Sequence, residues 1–446
     1  MKNLVMHATR FAGLILTGGL FCTAPAMADW HRSFVVEWHE PAFYHGGAEG
    51  VTEPGTDCPA GTNPELSWPD VLGKSGYSDQ EIEYLMTPTH PFRLPNMGQN
   101  QYAYRGEGRA NIYMEPWTYP DTGLTPVTGT IGEGLDLDGD TSNGFVSPDG
   151  ETGIDNETYH TLGCWHAYRG PVRGSMTAMS HNDHMREGAY SILIVVSGKG
   201  DDPMNDDNVQ VGFYDGRDAL VKDARGNIAK DYSFIIAPHA KYETIFDART
   251  VNGEVISKTP VEAMWMQDHG YTTELELLRA QLRFSMNDDG TLTGYLAGYR
   301  PWYPLYMAWV HARGTVMEAI TWVELPSVWY ALKRNADYSP DGADGERTHI
   351  SYAMRITAIP AYVMVPDASE EATDLVLYTD QAPPYELRPH PFLRFTNGEG
   401  VVEDRDGVLL AGPNAVIPPP NVTREKLKQQ RRTQEASFSA RSNGGQ

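Results

Sequence analysis

"LELLRAQLRFSMNDDGTLTGYLAGY", residues 275–299, contains two strand-like runs separated by Asn-Asp-Asp-Gly. Asp-Gly between such runs is a strong hairpin signal, because the turn needs residues that tolerate a left-handed backbone. The hairpin has company upstream. "YSILIVVSG" (190–198) is a β-branched run suited to a buried strand, and "NVQVGFYDG" (208–216) puts Val209, Val211 and Phe213 on one face. "DYSFIIAP" and "YETIFDARTVNGEVISKTP" continue the pattern, and "HISYAMRITAIPAYVMV" (349–365) returns to it. Strands at this spacing with polar turns predict a mainly β protein, with a sandwich or jelly-roll-like core over 189–394.

Between them, residues 302–335 carry apolar side chains at helical spacing, for example Val328, Ala331 and Leu332. Pro304 and Pro326 divide the stretch into short helices, a small helical insertion. Residues 29–188 read as a loop-rich N-terminal part. Long Gly-, Pro- and Asn-rich segments there separate strands expected at "FVVEW" (34–38) and "NIYMEPW" (111–117). From 395 the chain is Gly- and Pro-rich, then basic without apolar period, and is expected to be a disordered tail.

Lys2 and Arg10, the apolar run Phe11–Phe21 and the small-residue pattern Ala26-Met27-Ala28 form a signal peptide, with cleavage expected near Ala28. The apolar run is too short for a spanning helix, and no later segment supplies a transmembrane one. A periplasmic or secreted location follows. Cleavage removes Cys22 and leaves Cys58 and Cys164, which an oxidising compartment should join as a disulfide. A Cys-His metal site at Cys164 and His166 is the alternative.

The formal net charge is −24. Such a surface repels phosphate backbones, so nucleic acid is excluded as a partner, while cations, glycans and protein partners remain open. The charge is concentrated: Ala110 to Tyr168 holds ten Asp or Glu and no Lys or Arg. Within it, "DLDGDTSNGFVSPDGETGIDNE" (136–157) offers Asp136, Asp138, Asp140, Asp149, Glu151, Asp155, Asn156 and Glu157 as oxygen donors. Calcium takes six to eight such oxygens on a flexible backbone, and the Asp-x-Asp-Gly-Asp opening looks like that of known calcium loops. It departs from an EF-hand, since Thr141 stands where the loop glycine belongs and Ser147 where the bidentate glutamate belongs. The alternative is a solvated acidic turn.

"SMTAMSHNDHM" brings Met176, Met179, His181, His184 and Met185 within ten residues. Thioethers and imidazoles suit copper in a periplasmic copper or redox accessory protein. The same histidines could supply a general base assisted by Asp183. Trp302, Tyr303, Tyr306, Trp309, Trp322 and Trp329 form either a glycan platform or an aromatic core. No phosphate-binding glycine loop, dinucleotide fingerprint, nucleophile elbow or HExxH motif occurs, which leaves a glycan-active hydrolase as the enzyme alternative.

Four stretches, "GLDLDGDTSNGFVSPDGETGIDNETYHTLGC", "DDNVQVGFYDG", "DGTLTGYLAGY" and "ADYSPDGADGERTHISYAMRITAIPAYV", together resemble a group of exported proteobacterial proteins of unknown function. The resemblance implies one architecture for the acidic loop and the strands and carries no catalytic residue. The reading that results is an exported calcium-binding β-rich protein with a binding or structural-interaction role.

Overall fold

The computed structural model describes residues 30–44, 58, 68–74, 78–86, 106–107, 110–165, 168–169, 173–268, 273–311, 324–365, 394–396, 401–403 and 409–411. The expected signal peptide, His166 of the alternative Cys-His site and the chain beyond 411 lie outside them. The strands are β1 (Trp30–Pro41), β2 (Phe145–Val146), β3 (Thr152–Ile154), β4 (Ser191–Gly198), β5 (Asp206–Gly216), β6 (Tyr232–Ile235) and β7 (Thr244–Val251). They continue with β8 (Glu254–Ser257), β9 (Val261–Asp268), β10 (Thr273–Met286), β11 (Leu292–Pro301) and β12 (His349–Met364). The helices are α1 (Trp68–Lys74), α2 (Asp79–Met86), α3 (Glu157–Leu162), α4 (Met176–Arg186), α5 (Trp302–His311) and α6 (Leu325–Asn335).

The protein is mainly β, and its principal sheet is a closed barrel. Strands run antiparallel in the order β1-β4-β5-β7-β8-β10-β11-β12, and β12 pairs again with β1. The expected sandwich is therefore replaced by closure, and the length of β12 explains it. Over His349–Ala358 it pairs with β11, while Met354–Pro360 pairs on its other edge with Pro41 back to Phe34. The ring is thereby joined end to end, without the two edge strands that an open sheet would leave. The boundary expected at 188 also falls inside the architecture, because β1 belongs to the barrel wall. Outside the ring, β9 pairs with β10 and β6 runs parallel to β12.

Alternation fills the interior. Val209, Val211 and Phe213 of β5, Phe246 and Ala248 of β7 and Leu282 and Phe284 of β10 join one buried cluster. Phe213 lies 5.8 Å from Phe246 and 6.1 Å from Phe284 between ring centroids. The β7–β8 hairpin turns through Asn252 (φ 52) and Gly253 (φ 85), the left-handed pair its tight turn requires.

A second core lies beside the barrel. Trp302, Tyr306 and Trp309 of α5, Trp329 and Leu332 of α6 and Tyr159 and Leu162 of α3 pack with Trp165 and the Cys58–Cys164 disulfide. Most of the aromatic stretch is thus interior; Trp322 lies outside the described residues. "NIYMEPW" is not a strand. The Asn111 carboxamide oxygen accepts from Tyr113 N (2.9 Å) and Pro116 opens a 3-10 turn, so the backbone curls. At and beyond the start of the expected disordered tail, Arg394–Thr396, Val401–Glu403 and Leu409–Ala411 pair as a small antiparallel sheet.

The disulfide joins residues 106 apart in sequence, a long loop whose closure restricts the unfolded chain. Replacing Cys58 and Cys164 by Ser should cost about 2–5 kcal/mol. Urea denaturation of the oxidised protein and the double variant checks this.

Candidate functional site

The acidic loop is built on the outer barrel wall. Leu135 and Leu137 are buried against Ala297 and Tyr299 of β11, Ala353 of β12 and Ala42. Gln281 of β10 donates to the Leu137 carbonyl at 3.3 Å. With both leucines turned inward, the intervening Asp136 and the following Asp138 project away from the wall. Asp155 returns from β3 to meet them, its amide bonded to the Leu135 carbonyl at 3.0 Å.

Each of these three carboxylates is oriented by backbone N–H groups. Asp155 Oδ2 accepts from Leu137 N (2.7 Å) and Asp138 N (3.2 Å). Asp136 Oδ1 accepts from Gly139 N (2.6 Å) and Asp138 Oδ1 from Asp140 N (2.7 Å). Gly139 sits at φ 84, and the loop turns there. One oxygen from each of Asp136, Asp138 and Asp155 lies within 4.8 Å of the others. Burial foremost, with Asp138 and Asp136 adding to it against the N–H bonds of Leu137 and Asp138, raises Asp155 to about 6.

Neighbouring cations are engaged elsewhere. Arg283 forks onto Glu151 (2.5 and 3.0 Å), and Arg355 pairs with Glu133 (2.5 Å) and Glu40 (3.2 Å). Among the described residues no ion pair reaches the three aspartates.

Of the eight residues expected as ligands, the structure gathers Asp136, Asp138 and Asp155. Asp140 instead caps its own turn, accepting from Ser142 N (2.9 Å) and Ser142 Oγ (2.6 Å). Asp149 stands exposed at the β2–β3 turn, Glu151 is held by Arg283, and Glu157 contacts His160. Asn156 is structural: its oxygen caps α3 through Tyr159 N (3.1 Å), and its nitrogen donates to the carbonyls of Ala42 and Glu133, both at 2.8 Å. It fastens the loop to the end of β1, and every amide hydrogen is used.

The Met/His stretch forms α4, and its expected ligands diverge around the helix. His181 and Met185 are buried, while Met179 and His184 are exposed.

His181 takes part in a different constellation. Its Nδ1 lies 2.6 Å from Asp268 Oδ1 at the end of β9, while Asp183, the sequence neighbour expected to assist it, is exposed. His39 of β1 lies edge-on to His181, 5.8 Å between centroids, and its Nε2 is 3.1 Å from the Tyr190 hydroxyl. Burial favours a neutral Asp268, but the His181 charge and hydrogen bond, with His39 and Arg300, outweigh it and hold the carboxyl well below its usual range. His39, Asp268, Tyr190 and Arg300 carry no local sequence signal. They meet only because the barrel closes. Nearby on β5, Asp215 is bonded to Gln267 Nε2 at 2.5 Å and is raised by burial to about 7.

Fold and site define a closed antiparallel barrel with a carboxylate-rich loop seated on its outer wall. No family model, no curated protein and no solved structure matches the chain.

Asn156→Ala should cost about 2–4 kcal/mol, since it removes a helix cap and strands two carbonyls, one of them fully enclosed; guanidinium melts measure it. Asp215 has a folded pKa above its unfolded value of about 3.9. Its contribution is fully present below that value and is lost as pH rises through about 7. Asp215→Asn should therefore match the wild type near pH 4 and exceed its stability at pH 8, by on the order of 2–4 kcal/mol. Denaturation midpoints at the two pH values provide the check.

Proposed function

We propose that the protein is exported and binds a calcium ion at Asp136, Asp138 and Asp155, using it to hold the acidic loop as a rigid part of a surface with a binding or structural-interaction role. The observation carrying this reading is the convergence of three carboxylate oxygens within 4.8 Å on a loop without an ion-paired cation at the triad. Three like charges that close repel one another, and Asp138 and Asp136 add to the burial that raises Asp155. A divalent cation relieves that repulsion.

The donor chemistry fits calcium better than softer metals, since all three groups are hard oxygens and the turn supplies carbonyls and access to water. Asp140, exposed on the same turn, adds negative charge that raises local cation concentration. Copper has no comparable support, because His181 and Met185 are buried while Met179 and His184 are exposed. A glycan platform loses most of its aromatic stretch to the second core.

Calcium titration of the chelator-stripped protein by isothermal calorimetry tests the reading. One site per chain is expected, with affinity reduced at least about 10-fold in Asp155→Asn, which removes a charged ligand. Undiminished binding in that variant would place the ion elsewhere, and absence of binding in the wild type would reject the proposal.

A further inference from the structure

The seam between β1 and β4 is only partly closed by strand pairing. Their ladder ends at Val35 opposite Leu193, leaving the rest of that β1 edge to another partner. Helix α4 supplies it. The Asn182 carboxamide imitates a neighbouring strand, accepting from His39 N at 3.0 Å and donating to His39 O at 2.6 Å. A third bond, to Ala178 O at 2.7 Å, ties the amide to its own helix. One turn of α4 therefore replaces the missing ladder.

The charged cluster lies beneath this clamp. His181 reaches from α4 to Asp268 of β9, and Tyr190 donates its hydroxyl proton to the His181 carbonyl at 3.1 Å. Because that proton is committed, the 3.1 Å contact between Tyr190 and His39 Nε2 requires the proton on the imidazole. His39 Nδ1 is then a bare lone pair, fully buried and without a hydrogen-bond partner. The charged groups acting on it are Asp268 from β9 and His181 from α4, and Arg300 from β11, its guanidinium 4.8 Å over the ring of Tyr352 of β12, acts on the same Asp268. A single carboxylate serves two imidazoles and a guanidinium, so a further proton on His39 finds no acceptor and meets like charge.

We propose that the His39–His181–Asp268 cluster is an acid-sensitive latch, which holds α4 across the barrel seam at neutral pH and frees the helix on acidification while the barrel stays folded. The latch stands independently of the calcium reading. Burial foremost, then His181, lowers His39 to about 4, with Asp268 opposing in part. An imidazole that is less basic when α4 is closed than when it is open weakens the closed state as pH falls from about 6.5 towards 4, raising the opening constant about 100-fold. Asp268, whose folded value is depressed, adds acid lability only once pH falls below about 4.

Hydrogen exchange of the intact protein between pH 7 and 4, corrected for intrinsic rates, tests the latch. Peptides spanning 176–189 should lose protection about 100-fold more than those spanning 273–299. In His39→Gln, which can still donate to Tyr190 but takes no proton, the helix should keep its protection across the same range. Unchanged helix protection at pH 4, simultaneous loss in helix and barrel, or the same opening in His39→Gln would overturn the proposal. Should that variant fail to fold, the wild-type comparison of helix with barrel decides alone.

Discussion

Everything in this molecule depends on one strand pairing along both its edges. β12 carries the ladder to β11 and the ladder to β1, and the barrel exists because those two ladders overlap at Met354–Ala358. Closure removes the exposed edges of a long sheet, an aggregation hazard for any open arrangement of these strands. It also creates an enclosed interior in which Phe213, Phe246 and Phe284 pack together. The same closure gives the acidic loop a rigid wall, since Ala297, Tyr299 and Ala353, on neighbouring strands, receive Leu135 and Leu137.

The barrel and the loop have opposite energetic characters. The interior is apolar and self-sufficient, whereas the loop holds Asp136, Asp138 and Asp155 closer than like charges prefer. Backbone N–H groups offset part of that repulsion and fix the carboxylates in place, a preorganisation that lowers the cost of binding a cation. Apolar anchoring on one side and unbalanced charge on the other are what the proposed cation would act on, coupling the loop's order to its binding.

The strands were legible because their signals are local. Alternation in β5 and the Asp-Gly turn before β11 each lie within a dozen residues. Closure was not legible: a sandwich and a barrel use the same strands, and the deciding contact joins β1 to β12 across more than 300 residues. Of the eight residues expected as ligands, the structure brings three close together. Composition marks acidic residues alike, while geometry assigns Glu151 to Arg283 and Asn156 to the cap of α3. The His39–Asp268 constellation was invisible for the same reason as closure, and sequence proximity pointed His181 to Asp183 instead.

The proposed cation site is most directly tested by the thermal melt of the protein purified without chelator, recorded before and after EDTA and again after calcium is restored. Calcium held at 100 times its dissociation constant stabilises the native state by about 2.7 kcal/mol, so the melting temperature should fall by several degrees with EDTA and recover with calcium. A melting temperature indifferent to both additions would contradict the calcium site and leave Asp136, Asp138 and Asp155 as a solvated turn.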